Sequence, residues 1–318
     1  MGSIADFLAD PKPQPAAKPV SAERLAAALG QLGSPIKEPF TDAELAAADL
    51  FAADPELDSW LDTPRAAPEK RDPFWDAIEA PPPPTGRHGT ITYYPELVQG
   101  SDEWLSARCG LLTASEMKLI ITPTLKVASN DKERRHLWQL MTQRITRYVA
   151  PHYINDDMLR GKEDEIEARI LYDKHYAPVT EMGFITNDRF GFTLGFSPDG
   201  LVADDGFIEC KSRRDDLQVE FITENLLEGV IPAEYIMQIQ TGYLVSERKW
   251  CDFNSYSGGL HMVTMLVHPD HVIQEAILNA SGEFERRLAK KLERYNEAIA
   301  SKARLIPTER KVELEMRI

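Results

Sequence analysis

With 318 residues, 43% of them apolar, the chain is long enough to bury one large core or two small ones. Its net charge of −15 argues against a protein that coats nucleic acid non-specifically, but not against an enzyme that acts on it. No apolar run approaches the ~20 residues of a membrane span, no signal peptide is expected at the N-terminus, and three scattered cysteines without a C-x-x-C pair speak against a disulfide scaffold, a zinc site or an iron–sulfur cluster. A cytoplasmic location is the expectation.

The charge and the prolines are unevenly spread. Residues 1–86 hold 7 Lys/Arg against 15 Asp/Glu, and 14 of the 22 prolines, four of them in the run 81–84. Such a stretch buries too little apolar surface to offset its ordering entropy, so a disordered acidic extension ending in an extended linker is expected. Three amphipathic pieces interrupt it: 22–32, 41–51 (opened by the capping box Thr41-Asp42-Ala43-Glu44) and 72–78, with Phe74, Trp75 and Ile78 on one face. They read either as fleeting helices or as segments that fold onto a partner.

From residue 87 the pattern becomes that of a folded domain, expected to run to 300 and to be followed by a tail at 301–318. Two short helices broken at Gly110 are expected within 104–121. Longer ones are expected at 131–149, with Leu137, Leu140, Met141, Ile145 and Tyr148 at helical spacing, and at 158–176. Strand-like runs follow at 179–185, 190–194 and 207–212, then helices at 215–227 and 233–245, the latter with Pro232 in its first turn. Strands at 250–255 and 260–267 and a long charged helix at 269–300 complete the set. The order implies an α/β (α+β) fold, a mixed sheet flanked by helices.

One stretch carries chemistry on its face. In a strand over 207–212, Glu209 and Lys211 project together while Cys210 points the other way. Asp204-Asp205-Gly206 is a turn signal that folds the preceding segment back and brings Asp199 towards Glu209. Two carboxylates with an ammonium beside them suit Mg²⁺ and a phosphodiester. The Cys210 thiol, on the opposite face, is expected in the core.

Four ordered blocks then resemble the lambda-type exonuclease, or YqaJ-like viral recombinase, family of the PD-(D/E)XK nuclease superfamily, over most of residues 99–300. They are Glu103-Trp104 with Ala107-Arg108, Gly110 and Thr113-Ala114-Ser115; Gly161-Lys162 with Glu165, Ala168 and Arg169; Ser197-Pro198-Asp199-Gly200 with Glu209 and Lys211; and Tyr235 with Gln238 and Gln240. The resemblance implies a restriction-endonuclease-like core with a central mixed sheet. It implies a Mg²⁺-dependent 5′→3′ exonuclease, with Mn²⁺ as a substitute, that degrades one strand of linear duplex DNA. The 3′ overhang left behind would serve a single-strand annealing or single-strand binding protein in phage recombination. A ring-shaped trimer in a phage-infected or lysogenic host is implied too.

By the same resemblance two metal ions are held by Glu165, Asp199, Glu209 and the Cys210 carbonyl; beside them the Lys211 pKa should fall, which favours a role as base over orienting the water or stabilising the transition state, the three roles open to it. Gln238 assists there. Arg108, Thr113 and Ser115, joined by Ser197 and with Gln240 as a further helper, form the 5′-phosphate and DNA site, the serine lying at a helix start. Trp104 is read as a core anchor in preference to a base-stacking platform, Tyr235 as a support for Gln238, and Glu163 and Glu167 as solvated. Two other readings stand beside this one: a related endonuclease or RNA-degrading nuclease, and an inactive nuclease fold serving as an adaptor or DNA mimic.

Overall fold

The computed structural model describes residues 83–150 and 156–310. The acidic extension up to residue 82, with its three amphipathic pieces, and the last eight residues lie outside the described residues. The chain opens with an antiparallel hairpin that the sequence reading did not foresee, β1 (Gly86–His88) and β2 (Ile91–Tyr94). Helix α1 (Asp102–Ala107) follows, capped by the Ser101 hydroxyl, which accepts from the Trp104 N–H at 3.2 Å. The second of the two expected helices begins later than residue 113. Strand β3 (Leu112–Thr113) comes first, then a single tight turn at Ala114–Glu116 and the one-turn α2 (Met117–Ile120).

Helix α3 (Asp131–Thr146) is capped by Asn130 and ends at Arg147, in the left-handed region at φ 54°. Helix α4 (Asp156–His175) leads into a run that the sequence reading took as one strand. Two short strands form instead, β4 (Val179–Thr180) and β5 (Phe184–Asn187), and they join different sheets. Strands β6 (Leu194–Phe196), β7 (Gly200–Val202) and β8 (Gly206–Ser212) follow. Helix α5 (Asp215–Glu220) runs into a wide turn, Phe221–Asn225, in which the Leu226 N–H donates to the Phe221 carbonyl. Helix α6 (Ala233–Ser246), strands β9 (Trp250–Tyr256) and β10 (Val263–Val267) and helix α7 (His271–Ala300) complete the order. Among the described residues no helix is long and apolar enough to cross a membrane.

The mixed α/β class holds, with the strands divided between two five-stranded mixed sheets. One has the order β1-β2-β5-β6-β3, the other β10-β9-β8-β7-β4. Each contains one parallel pair, β3 with β6 and β8 with β9. The β8–β9 crossover carries α5 and α6, which packs against both sheets: Phe207 of β8 lies edge-on to Phe196 of β6 and to Tyr243 of α6, at 5.3 and 5.1 Å. These rings are fully or almost fully buried, and each contributes about 1.5–3 kcal/mol of apolar burial. On the other face of β8, Ile208 and Cys210 pack with Ala168 and Tyr172 of α4. The alternation read from the sequence is therefore real: odd-numbered β8 side chains face α6, even-numbered ones face α4.

Helix α7 lays Ile273, Ile277, Ala280, Phe284 and Leu288 on one buried stripe. Two ion pairs tie it to α3, Arg144 with Glu285 and Arg287 with Glu133. Gly183 is required by a close approach, since a Cβ there would lie 1.9 Å from the Leu97 carbonyl oxygen. That contact seats the segment after β2 against β5 and places Gln99 at the mouth of the site described next.

Candidate active site

The hairpin β7–β8 is the scaffold. Gly200 pairs with Ile208 and Val202 with Gly206, and Ala203 takes the left-handed conformation in the turn (φ 46°). The Asp204-Asp205-Gly206 signal thus folds the chain back as expected. Asp199, just before β7, accepts the Cys210 N–H at 2.6 Å, so one backbone bond fixes it beside β8. Glu209, 1% exposed, has its Oε1 2.5 Å from Lys211 Nζ and accepts from Gln238 Nε2 at 2.5 Å. Glu165 projects from α4 to within 3.7 Å of Lys211 Nζ. Glu163 and Glu167 are exposed, as expected.

Charge balance in this cluster is lopsided. Three carboxylates face one ammonium. Burial pushes Glu209 up to about 8 and Glu165 to about 7, with the charge of Asp199 adding to it and Lys211 pulling back. Asp199 is raised for the same first reason. Burial works against the Lys211 charge, yet the three carboxylates together hold it well above the ordinary lysine range. The depressed Lys211 pKa expected from the sequence was tied to neighbouring cations; the protein's own groups push the other way.

Hard, partly desolvated oxygens with surplus negative charge are the donor chemistry of a divalent-cation site, and Glu209 Oε2 is buried without a hydrogen-bond partner among the described residues. The residues present therefore fit Mg²⁺. As placed, no group of three or more His, Cys, Asp or Glu side chains among the described residues is gathered tightly enough to enclose an ion. Lys211 sits between Glu165 and Glu209 and supplies the counter-charge.

The same cleft, about 190 Å³ in volume, continues to a second constellation. Arg108 Nη2 donates to Thr113 Oγ1 at 2.9 Å and lies 3.7 Å from Glu116. Its guanidinium stacks on the Trp104 ring, 4.4 Å from the centroid. Trp104 is half-buried, and its indole N–H donates to Ser197 Oγ at 3.0 Å and to the Gly183 carbonyl at 3.2 Å. Trp104 is thus a brace between Arg108 and Ser197 more than a core anchor. Ser115 Oγ lies 3.5 Å from Thr113 Oγ1, and both hydroxyls line the cleft. The helical piece after Thr113 is too short to offer a helix terminus, so anion affinity here would come from Arg108 and the hydroxyls.

Of the residues singled out in the sequence, the cleft gathers Arg108, Thr113, Ser115, Glu165, Ser197, Asp199, Glu209, Lys211 and Gln238. Gln240 stands apart. Buried at the junction of α6 and α7, it donates to the His268 carbonyl at 2.8 Å and accepts from the Asp270 N–H at 2.8 Å and from Gln274 at 3.0 Å. Its part in the DNA site is corrected to that of a fold brace, because two residues on a helix turn it about 200° from Gln238. Replacing Gln240 with leucine is expected to cost at least about 2 kcal/mol, since two backbone groups lose their partner. Denaturant unfolding checks the loss, and end preference on DNA should not change. Tyr235 stacks on Phe253 at 5.4 Å, one turn before Gln238.

Sequence reading missed two features. Gln99 lines the cleft and donates to the Pro198 carbonyl at 3.4 Å. Asp164, inside the charged run next to Glu165, accepts from Ser212 Oγ at 2.5 Å and so ties α4 to the end of β8. Neither carries a sequence signal that separates it from neighbouring surface residues.

Comparison with known proteins finds relatives among recombinase domains and exonucleases. The model of the YqaJ-like viral recombinase domain matches residues 103–249, which span every predicted site residue. Two structures of LHK-Exo, an alkaline exonuclease from Laribacter hongkongensis, one in complex with dAMP, are 30% identical to the chain. Each alignment covers 64% of this chain and 100% of LHK-Exo, with TM-scores of 0.57 and 0.56. A phage-related exonuclease from Haemophilus somnus is 13% identical over 57% of this chain and 96% of its own, with a TM-score of 0.40. No curated protein sequence matches. Sequence blocks, domain match and full coverage of LHK-Exo together place this chain in the YqaJ-like viral recombinase family.

Proposed function

We propose that the chain is a Mg²⁺-dependent exonuclease that degrades one strand of linear double-stranded DNA from its 5′ end. The observation that carries this reading is the continuity of one cleft: the carboxylate–lysine cluster at one end, the Arg108, Ser115 and Ser197 pocket at the other. A terminal phosphate held by Arg108 would place the first internucleotide bond at Lys211. Glu165, Asp199, Glu209 and the Cys210 carbonyl would hold the metal. When bound, two such ions supply an activated water and neutralise charge on the scissile phosphate.

The chain's own groups do the rest. Lys211, seated between Glu165 and Glu209, donates to the phosphoryl oxygen on which charge develops. Gln238 holds Glu209 Oε1 by its amide N–H and so fixes the carboxylate's direction. The backbone N–H of Cys210 does the same for Asp199. The product strand would be a 3′ overhang suited to a single-strand annealing partner, and family resemblance supports a ring-shaped trimer.

The test compares linear, nicked and closed-circular DNA, with 5′-phosphate or 5′-hydroxyl ends, in Mg²⁺ and then in EDTA. Linear 5′-phosphorylated duplex should be degraded, closed circles should survive, and EDTA should stop the reaction. Scission of closed circles would overturn the reading in favour of an endonuclease.

A further inference from the structure

We infer that Arg213 grips the sugar–phosphate backbone of the nucleic acid, one strand step outward from Lys211. This rests on the reading that the cleft cuts phosphodiesters, and it adds a contact outside that cleft. The Arg213 N–H donates to the Tyr256 carbonyl at 2.7 Å, which continues the β8–β9 pairing by one residue beyond Ser212. Glu209, Lys211 and Arg213 therefore form a row on one face of the strand, at intervals of about 6.6–6.8 Å.

Helix α6 shows that the row is continuous. Gln238 touches Glu209, and Tyr235, one turn earlier on the same helix, lies against Arg213 with its centroid 5.6 Å from the guanidinium carbon. On the other side Phe221 stands 4.9 Å away, carried there by the wide turn after α5. Two aromatic faces thus hold the planar guanidinium in a set orientation.

Among the described residues the arginine has no anion. Its head donates, among the described residues, only a long 3.3 Å bond to the Leu217 carbonyl, and its buried Nε has no acceptor there. No carboxylate pairs with it among the described residues. By contrast Arg144, Arg169, Arg189, Arg214 and Arg287 each pair with a carboxylate. Glu234, next to Tyr235 in α6, is engaged by Lys118 at 3.2 Å. An oriented, unneutralised guanidinium in line with a phosphodiester-cutting lysine matches the chemistry of a phosphate group on the same strand.

The test is a salt titration of binding. A fluorescently labelled 5′-phosphorylated duplex and the corresponding single strand would each be bound by the full-length protein, with Ca²⁺ as the divalent ion. Arg213→Met keeps the apolar stem between the two rings and removes the charge. Arg213→Lys keeps the charge. The methionine variant should lower the slope of log K against log salt by about 0.9 on the duplex or about 0.7 on the single strand, whichever form Arg213 touches. It should weaken binding equally across sequences, and the lysine variant should retain the wild-type slope. An unchanged slope in Arg213→Met, with or without a lower melting temperature, overturns the inference and assigns Arg213 to packing alone. Wild-type protein that binds neither DNA form overturns both this contact and the nuclease reading. A drop in slope shared by both variants would also overturn it, since lost packing and not lost charge would then be the cause.

Discussion

Replacing Lys211 with methionine is expected to slow hydrolysis of linear duplex DNA at least about 100-fold, the order seen when a preorganised charge-stabilising donor is removed. The protein should stay folded. Stranding a buried charge by deleting its partner costs about 3–5 kcal/mol, but the site has a way around that penalty. Burial already holds Glu209 near 8 and Glu165 near 7, so both take up protons once the ammonium is gone. A protonated Glu209 keeps its bond from Gln238, and the loss should fall to about 1–3 kcal/mol. Single-turnover rates in Mg²⁺ and thermal unfolding of both proteins check the two halves separately. Wild-type rates in the variant would remove Lys211 from the mechanism.

In the proposed reading Arg108 sets where hydrolysis starts. Arg108→Ala should lower the rate on 5′-phosphorylated ends by about 10- to 100-fold, the equivalent of one charge-assisted hydrogen bond of about 1.5–3 kcal/mol. Rates on 5′-hydroxyl ends should barely change, so the preference between the two ends collapses. Folding should be spared, because Glu116 keeps the Thr113 hydroxyl as donor at 2.7 Å. Arg108→Lys should fall between, since an ammonium retains the charge but not the planar stack on Trp104 at 4.4 Å. Equal rates on both ends in the wild-type protein would assign the Arg108 pocket to packing.

These two predictions draw on residues that were legible at very different levels. The shared face of Glu209 and Lys211 and the turn of Cys210 to the opposite, buried face follow from strand periodicity, a local rule that tertiary context did not override. The hairpin that returns Asp199 was legible from its turn chemistry. The single strand expected over 179–185 failed because Met182 and Gly183 interrupt it, and each half found a better partner in a different sheet. The helix expected near Thr113 begins one residue later, at Ala114, because Leu112 and Thr113 pair with Leu194 and Gly195 of β6, a contact 82 residues distant. Local propensity holds no information about such a pairing.

The amino-acid order alone carried which side chains on β8 share a face, where the hairpin turns, and which four blocks follow one another in family order. Tertiary structure decided how those pieces add up. It joined Arg108, at the end of α1, to Lys211 on β8 in one cleft through Trp104 and Ser197, withdrew Gln240 into the α6–α7 junction, and left Arg213 clamped between two rings with no carboxylate partner among the described residues. The physical reason is common to all three. Periodicity fixes the direction of a side chain relative to its own backbone, but its neighbours, and so its burial, charge balance and hydrogen-bond partners, are set by elements brought against it from far along the chain.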